Sequence, residues 1–387
     1  RHFGWDCHGI PVEYAVDKDL GLSTQEAVNK LGLSGYNDVC RGIVDRYSNQ
    51  WQHTIKRIGR WVDFDQCYKT MDTPFMESVW WAFSELWKKD LIYHGVKVMP
   101  YSTKLQTSLS NFEASSNYKS VQNPAITVLI YCPGHDAYLA IWTTTPWTLP
   151  ANLAVCVGPY TYVKVYQAEY DRHIIIAKAC LPLLHQHEQL DIVNELTADD
   201  LVGHSYEPLF PYYQDHEKGK AFKVLLDDYV TTTDGTGIVH MAPGHGEDDF
   251  RVCSNQGITP VCPLDMAGCF DGIAPDLQGV YLKDADKKII QLLKTQDKIY
   301  HQDVIVHNYP FCPRSDTPLI YRTMPSWFVN IAKIKERLLK NSEDISWLPA
   351  HIKSGRFGKW LANAKDWAIS RSRYWGTPIP IWINDTT

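Results

Sequence analysis

Three threonines stand in a row in WTTTPWTLPAN, Trp142 to Asn152, closed off by Pro-Trp and Leu-Pro. The stretch is too polar for a core strand and too apolar and stiff for a linker, so it reads as a binding surface. The hydroxyls of Thr143, Thr144 and Thr145 can donate and accept around a polar ligand or an attacking water. A second stretch, GTGIVHMAPGHGEDDF from Gly235 to Phe250, runs a strand bearing His240 into a Gly-Pro loop and sets Asp248 and Asp249 where a helix would begin. Carboxylates there either cap the helix and meet its dipole, or present acid to a cation or a metal. His240, His245, Asp248 and Asp249 loosely resemble the clusters of metal-dependent hydrolases, which supplies the alternative function; no pair has His-x-His spacing, and no metal ligand is assigned. A third stretch, GWDCHGIPVE from Gly4 to Glu13, gathers two glycines, Trp, Asp and His in a loop entering a helix, a pattern that a plain tight turn also satisfies.

The elements that must position these residues follow from periodicity. From Glu26 to about Leu91 apolar residues recur at three- and four-residue steps, which predicts amphipathic helices, with Thr73 and Pro74 as N-cap and first-turn residue of one of them. Trp80, Trp81 and Trp87 on that helix are expected to pack in a core. Near Ser120 the pattern changes to short runs rich in Val, Ile, Thr and Tyr, such as AITVLIYC, AYLAIWTT, LAVCVG, TYVKVYQ and HIIIAKA, separated by Pro-Gly, Gly-Pro and charged turns. These predict a β-rich region closing with DVIVHNYP, after a helix around Asp284 to Leu293. Beyond Pro313 helix and strand return, ending on PIPIWI. An α/β beginning, a β-rich middle and an α/β end suggest one domain inserted into another, divided as 1–119, 120–310 and 311–387.

A chain of 387 residues exceeds what one core supports, so two or three domains are expected. With 44% hydrophobic and 21% charged residues it has the composition of a folded globular protein. A net charge of −6 excludes a globally basic nucleic-acid coat but leaves room for a local basic surface. The ten cysteines are scattered, without Cys-x-x-Cys, which favours a reducing compartment. No apolar run approaches the ~20 residues of a membrane span. The first residue is not Met and the last follow a strand-like run, so both ends read as cut from a longer polypeptide.

Taken together, GWDCHGIPVE, GRWVDF, WTTTPWTLPAN, GTGIVHMAPGHGEDDF, CPRSDTPLIYRTMPSWF and GRFGKWLANAKDWAISRSRYWGTPIPIW resemble, in order, the body of the isoleucyl-tRNA synthetases, the last two segments looking like the eukaryotic cytosolic branch. Leucyl enzymes have Thr-Thr-Arg-Pro where this chain has Thr143 to Pro146, and valyl enzymes depart from the pattern at Gly4 to Gly9. The resemblance implies an incomplete Rossmann-type class I catalytic domain interrupted by a β-barrel-like editing domain. The parent enzyme would activate isoleucine with ATP and Mg2+ and charge tRNA(Ile) in the cytoplasm, with a multi-synthetase complex as a further partner. The adenylate-cradling His-Ile-Gly-His signature is expected before Arg1 and the Lys-Met-Ser-Lys-Ser loop after Thr387, so this piece is not expected to aminoacylate alone.

By the same resemblance Asp6 holds the substrate α-ammonium beside Gly4, and Trp375 lines the amino-acid pocket. In the editing site, which uses no cofactor, Asp249 binds the α-ammonium of a mischarged valine. Thr144 and Thr145 surround the ester and the water, with Thr143 in the same loop. Asn152 holds that loop or the terminal nucleotide, Trp147 packs beneath, and His240 forms the wall that rejects isoleucine. No general base is assigned.

Overall fold

A computed structural model describes residues 2–185, 190–382 and 384. It divides into two compact units, Arg1–Gly95 with Pro325–Thr387, and Val96–Met324. The chain passes from one to the other along the strands Ile92–Ser102 and Ile320–Val329. The divisions therefore fall at 95/96 and 324/325, whereas the change of period falls near 120. Period reports local geometry, and packing decides membership: Pro310 pairs with Tyr118, and Asp316 accepts from Asn117 Nδ2 at 3.1 Å, which ties both flanks to the β-rich unit.

In the first unit His2–Trp5 pairs in parallel with Asp63–Lys69. Parallel partners need a long crossover, supplied by the helices Ile10–Leu20 and Thr24–Arg57. Ser23 opens the second of these with a capping box, its hydroxyl and backbone N–H both exchanging bonds with Glu26. Asp63–Lys69 lies inside the stretch read as helical, where Asp63, Phe64, Asp65 and Gln66 break the 3.6 period. The helix Thr73–Lys88 is capped by Asp72 rather than Thr73. It has no buried residue; Trp81 is 67% and Trp87 52% exposed, against the expected core placement. Apolar spacing shows that a helix has a face to bury, not that the cover is present. Pro378 to Trp382 form no strand, since Pro378 and Pro380 lack the N–H that a ladder needs; Ile383 lies outside the described residues.

The second unit is built on a six-stranded sheet ordered Asp191–Thr197, Thr161–Gln167, Arg172–Ala177, Ala137–Thr143, Tyr118–Cys132, Ile299–Pro310. All its pairings are antiparallel except Ala137–Thr143 with Arg172–Ala177. A three-stranded sheet places Ala154–Val157 between Lys223–Leu226 and Ile238–Met241. The core joins both sheets through Ile126, Leu129, Leu139, Ile141, Val155, Val157 and Ile175, all fully buried. Among the described residues each sheet ends on two different edge strands, so the sheets are open and the barrel-like expectation is not met. Alternation predicts strands, whereas closure depends on shear and long-range edge pairing that no local pattern carries. Among the described residues no helix is long and apolar enough to cross a membrane.

Candidate active site

In the second unit the Thr-rich stretch leaves the strand Ala137–Thr143 and tightens into a 3-10 turn, Pro146–Ala151. Two prolines in six residues favour that short turn over a longer helix. Thr143, buried, accepts from the Thr145 backbone N–H at 3.1 Å and lies 3.3 Å from its hydroxyl. Thr145 in turn lies 3.3 Å from the Thr148 hydroxyl. Thr144 and Thr145 both keep a partly exposed surface. Trp147 is buried beneath the loop, with its backbone N–H on Asp286 Oδ1 at 2.9 Å and its ring edge-on to His245 at 4.8 Å. Asn152 is also buried, donating to Ala154 O at 2.8 Å and accepting from the Tyr206 hydroxyl at 2.6 Å, so its amide anchors the end of the loop.

The strand Ile238–Met241 brings His240 against this loop, with Nε2 3.0 Å from the Thr148 hydroxyl. Burial pushes the His240 imidazole down to about 4, with His245 adding to the effect. His245 Nδ1 lies 3.0 Å from Tyr321 O, and burial pushes this ring down to about 4 as well. Both are therefore neutral at pH 7. Gly246 then caps the helix Glu247–Asn255. A Cβ on Gly246 would come within 2.5 Å of the Asp249 carboxyl carbon, so glycine here lets the carboxylate fold back over the helix start. Asp249 Oδ2 accepts from Ala242 N–H at 2.8 Å, and no donor from another described residue meets Oδ1. Burial raises the Asp249 pKa to about 6, opposed by the Ala242 bond and reinforced by Asp248. This carboxylate has spare capacity for a cation.

Thr145, Thr148 and His240 thus form one contact chain, which Trp147, next to Thr148, extends to His245, while Asp249 bonds to Ala242 and acts on His245 through charge alone. Asp248 does not join it: exposed, it pairs with Arg251 at 3.1 Å, which also forks onto Asp227. The four-residue metal cluster is corrected accordingly, and among the described residues no group of three His, Cys, Asp or Glu could hold a metal ion. A cavity of about 410 Å3 lies beside the Thr loop, lined by Trp142, Cys180, Thr232, Gly235, Tyr300 and Asp303 among others, but not by His240 or Asp249.

In the first unit Gly4 and Asp6 are exposed, and the Tyr68 ring lies where a Gly4 Cβ would stand. Trp375 is buried, its indole N–H on Cys7 O at 2.6 Å and its backbone N–H on Glu13 Oε1 at 2.8 Å. Glu13, 1% exposed, also accepts from Tyr374 N–H and from Arg373 Nη1 at 2.6 Å.

Sequence reasoning missed Thr148, Asp286 and Glu13. Each carried a signal. Thr148 follows Thr145 by one 3-10 turn, while Asp286 and Glu13 fall on the apolar stripes Leu282, Ala285, Ile289, Ile290, Leu293 and Ile10, Val16 of their helices. An acid on a buried stripe is unusual enough to single out.

The family model for tRNA synthetases class I (I, L, M and V) matches residues 1–387. The chain is similar to isoleucine–tRNA ligase of Chlamydia trachomatis serovar D, 50% identical over 387 residues and 100% of this chain. It is likewise similar to isoleucine–tRNA ligase of Bdellovibrio bacteriovorus, 51% identical over 99% of this chain. It spans 37% of the length of each of these relatives. Both are bacterial, and the eukaryotic cytosolic branch expected from the last two segments finds no support in them. Similar solved structures include GlLeuRS-CP1, 16% identical over 46% of this chain and 99% of that one, TM-score 0.37. Another is the P. knowlesi cytosolic leucyl-tRNA synthetase editing domain, 10% identical over 46% and 95%, TM-score 0.35. Both scores are too low for the likeness to establish a fold. By the family match over residues 1–387, the chain belongs to the class I tRNA synthetases of the I, L, M and V group.

Proposed function

We propose that the chain is a region of an isoleucine–tRNA ligase, and that Val96–Met324 is its editing domain, hydrolysing valine mischarged onto tRNA(Ile). The parent would activate isoleucine with ATP and Mg2+ in the cytoplasm. For that reaction this chain would offer Gly4, Asp6 and Trp375 to the amino acid. Neither the eukaryotic branch nor a multi-synthetase assembly forms part of this reading.

The need for a second site is physical. A pocket shaped for isoleucine gains only about 1 to 3 kcal/mol from the methylene that valine lacks, a general magnitude for which isoleucine against valine is itself the reference case. A site too small for isoleucine then removes the error.

The observation that carries the proposal is the half-buried Asp249 carboxylate, raised to about 6 by desolvation and holding one oxygen free of partners from other residues. It binds the α-ammonium of the esterified valine. His240, neutral and pinned by Thr148, closes the side-chain space as a wall and carries no charge to attract water. The hydroxyls of Thr144 and Thr145 orient the ester and the water. Water oxygen bonds to the ester carbonyl carbon, the bond to the ribose oxygen breaks, and the proton lost by water ends on that ribose oxygen. Thr143, Trp147 and Asn152 keep the loop in shape, and the cavity beside Trp142 has room for the terminal nucleoside. The test is release of amino acid from Val-tRNA(Ile) and Ile-tRNA(Ile) by the 387-residue chain, with and without chelator. Selective, chelator-insensitive release of valine supports the proposal; release that chelator abolishes would sink it.

A further inference from the structure

Two buried imidazoles lie on the contact chain, and the hydrogen-bond partners of each fix where its proton sits. Thr148 has a single hydroxyl proton, and its oxygen lies 2.8 Å from Thr145 O, a carbonyl that can only accept. With that proton committed, the same oxygen meets His240 Nε2 at 3.0 Å as an acceptor. His240 therefore carries its proton on Nε2 and presents Nδ1 as a bare lone pair. His245 is the mirror case. Its Nδ1 faces Tyr321 O, so the proton is on Nδ1 and Nε2 is bare.

Both bare nitrogens, His240 Nδ1 and His245 Nε2, are buried with no partner among the described residues, and so is the Trp147 indole N–H. Trp147 sets its ring edge-on to His245 at 4.8 Å, and its chain neighbour Thr148 meets His240, so the loop brings the two imidazoles to one place. The cluster thus offers two acceptors and one donor. Protonation does not resolve the orphans, because burial keeps both rings neutral at pH 7. Leaving them unmet would cost stability, because each has given up its hydration without a replacement partner. A water has the complementary inventory, two protons to give and a lone pair to receive, and buried waters typically make about three bonds.

We propose that His245 is a positioning residue for His240, acting through an ordered water that donates to His240 Nδ1 and His245 Nε2 and accepts from Trp147 Nε1. The His240 ring is then held at both ends, by Thr148 at Nε2 and by the water at Nδ1. Its consequence for substrate choice rests on the editing reading above: a wall held at both ends cannot rotate to admit the larger side chain.

The test is 15N NMR of selectively labelled histidines in the 387-residue chain, with His240 and His245 assigned by substitution, alongside deacylation of Val-tRNA(Ile) and Ile-tRNA(Ile). Wild type is expected to show His240 as the Nε2–H tautomer and His245 as Nδ1–H, both neutral. His245→Asn keeps a donor for Tyr321 O but lacks the Nε2 acceptor. It should blur the His240 tautomer and reduce valine-over-isoleucine discrimination roughly tenfold, with circular dichroism unchanged. His245→Gln, whose side-chain oxygen reaches toward the Nε2 position, should restore both. A wild-type His240 protonated on Nδ1, or His245→Asn with the His240 signals and discrimination intact, overturns the proposal. The stated tautomers in a chain that hydrolyses neither ester support the pairing and overturn the editing reading instead.

Discussion

Glu13 and Asp249 are both acids drawn inward at the start of a helix, one in each compact unit, and they are equipped in opposite ways. Glu13 accepts from the Arg373 guanidinium and from two backbone N–H groups, of Tyr374 and Trp375. Asp249 accepts from the backbone N–H of one other residue, Ala242, and burial lifts its pKa to about 6. A carboxylate whose valences are filled by its own chain is a structural clamp. One that is desolvated and left with spare capacity costs stability and is available to a ligand cation. The contrast separates fold-holding acids from ligand-binding ones without reference to any bound molecule.

Removing the clamp should have the largest effect. Glu13→Ala removes the shared acceptor of the Arg373 guanidinium and of the Tyr374 and Trp375 N–H groups and should lower unfolding free energy by about 3 to 5 kcal/mol, read by denaturant titration. A loss below about 1 kcal/mol would break the distinction. Asp249→Ala should instead reduce Val-tRNA(Ile) deacylation about 100-fold while the chain stays folded. At pH 7.5 Asp249→Asn should raise unfolding free energy by ~1 to 2 kcal/mol, because the native pKa is raised and the ionised carboxylate is disfavoured in the fold. The sign is testable: stability linked to Asp249 is present below about pH 4 and lost as pH rises through about 6, so the gain from Asn should disappear in acid.

The same raised pKa shapes activity. Below about 6 the free enzyme's Asp249 is protonated and cannot pair with an ammonium, so kcat/KM for deacylation should fall with acid through that pH, and Asp249→Asn should flatten the profile. Thr148→Val, which removes the His240 Nε2 acceptor at similar volume, should cost roughly tenfold in discrimination against isoleucine. Asp286→Asn should act with the same sign at pH 7.5, a small rise in Tm, since burial raises its carboxyl to about 6 and an amide oxygen can still accept from Trp147 N–H.

Much of this was legible in the residue order. The β runs from AITVLIYC to HIIIAKA became strands because alternation of Val, Ile and Tyr is a local property. His240 on a strand and Asp249 at a helix start were legible as candidates from position, and their roles came from the family resemblance. Their inequality with Asp248 and His245 was not, since it depends on Arg251 drawing Asp248 outward and on Tyr321, 76 residues away, supplying a carbonyl to His245. The open sheets and the exposed Trp81 and Trp87 escaped for a related reason: which edges pair and which faces are covered are long-range outcomes. Glu13 and Asp286 were legible as acids on apolar helical stripes, although the partners that each meets, Arg373 and the Trp147 N–H, lie 360 and 139 residues away.

The most direct measurement compares deacylation of Val-tRNA(Ile) with that of its N-acetylated form, by the wild-type chain and by Asp249→Asn. If Asp249 binds the α-ammonium, acetylation and the substitution each remove the same interaction, so either alone should slow the reaction about 100-fold and the two together no further. Losses that multiply, or an acetylated ester cleaved as fast as the free one, would contradict Asp249 as the anchor of the substrate.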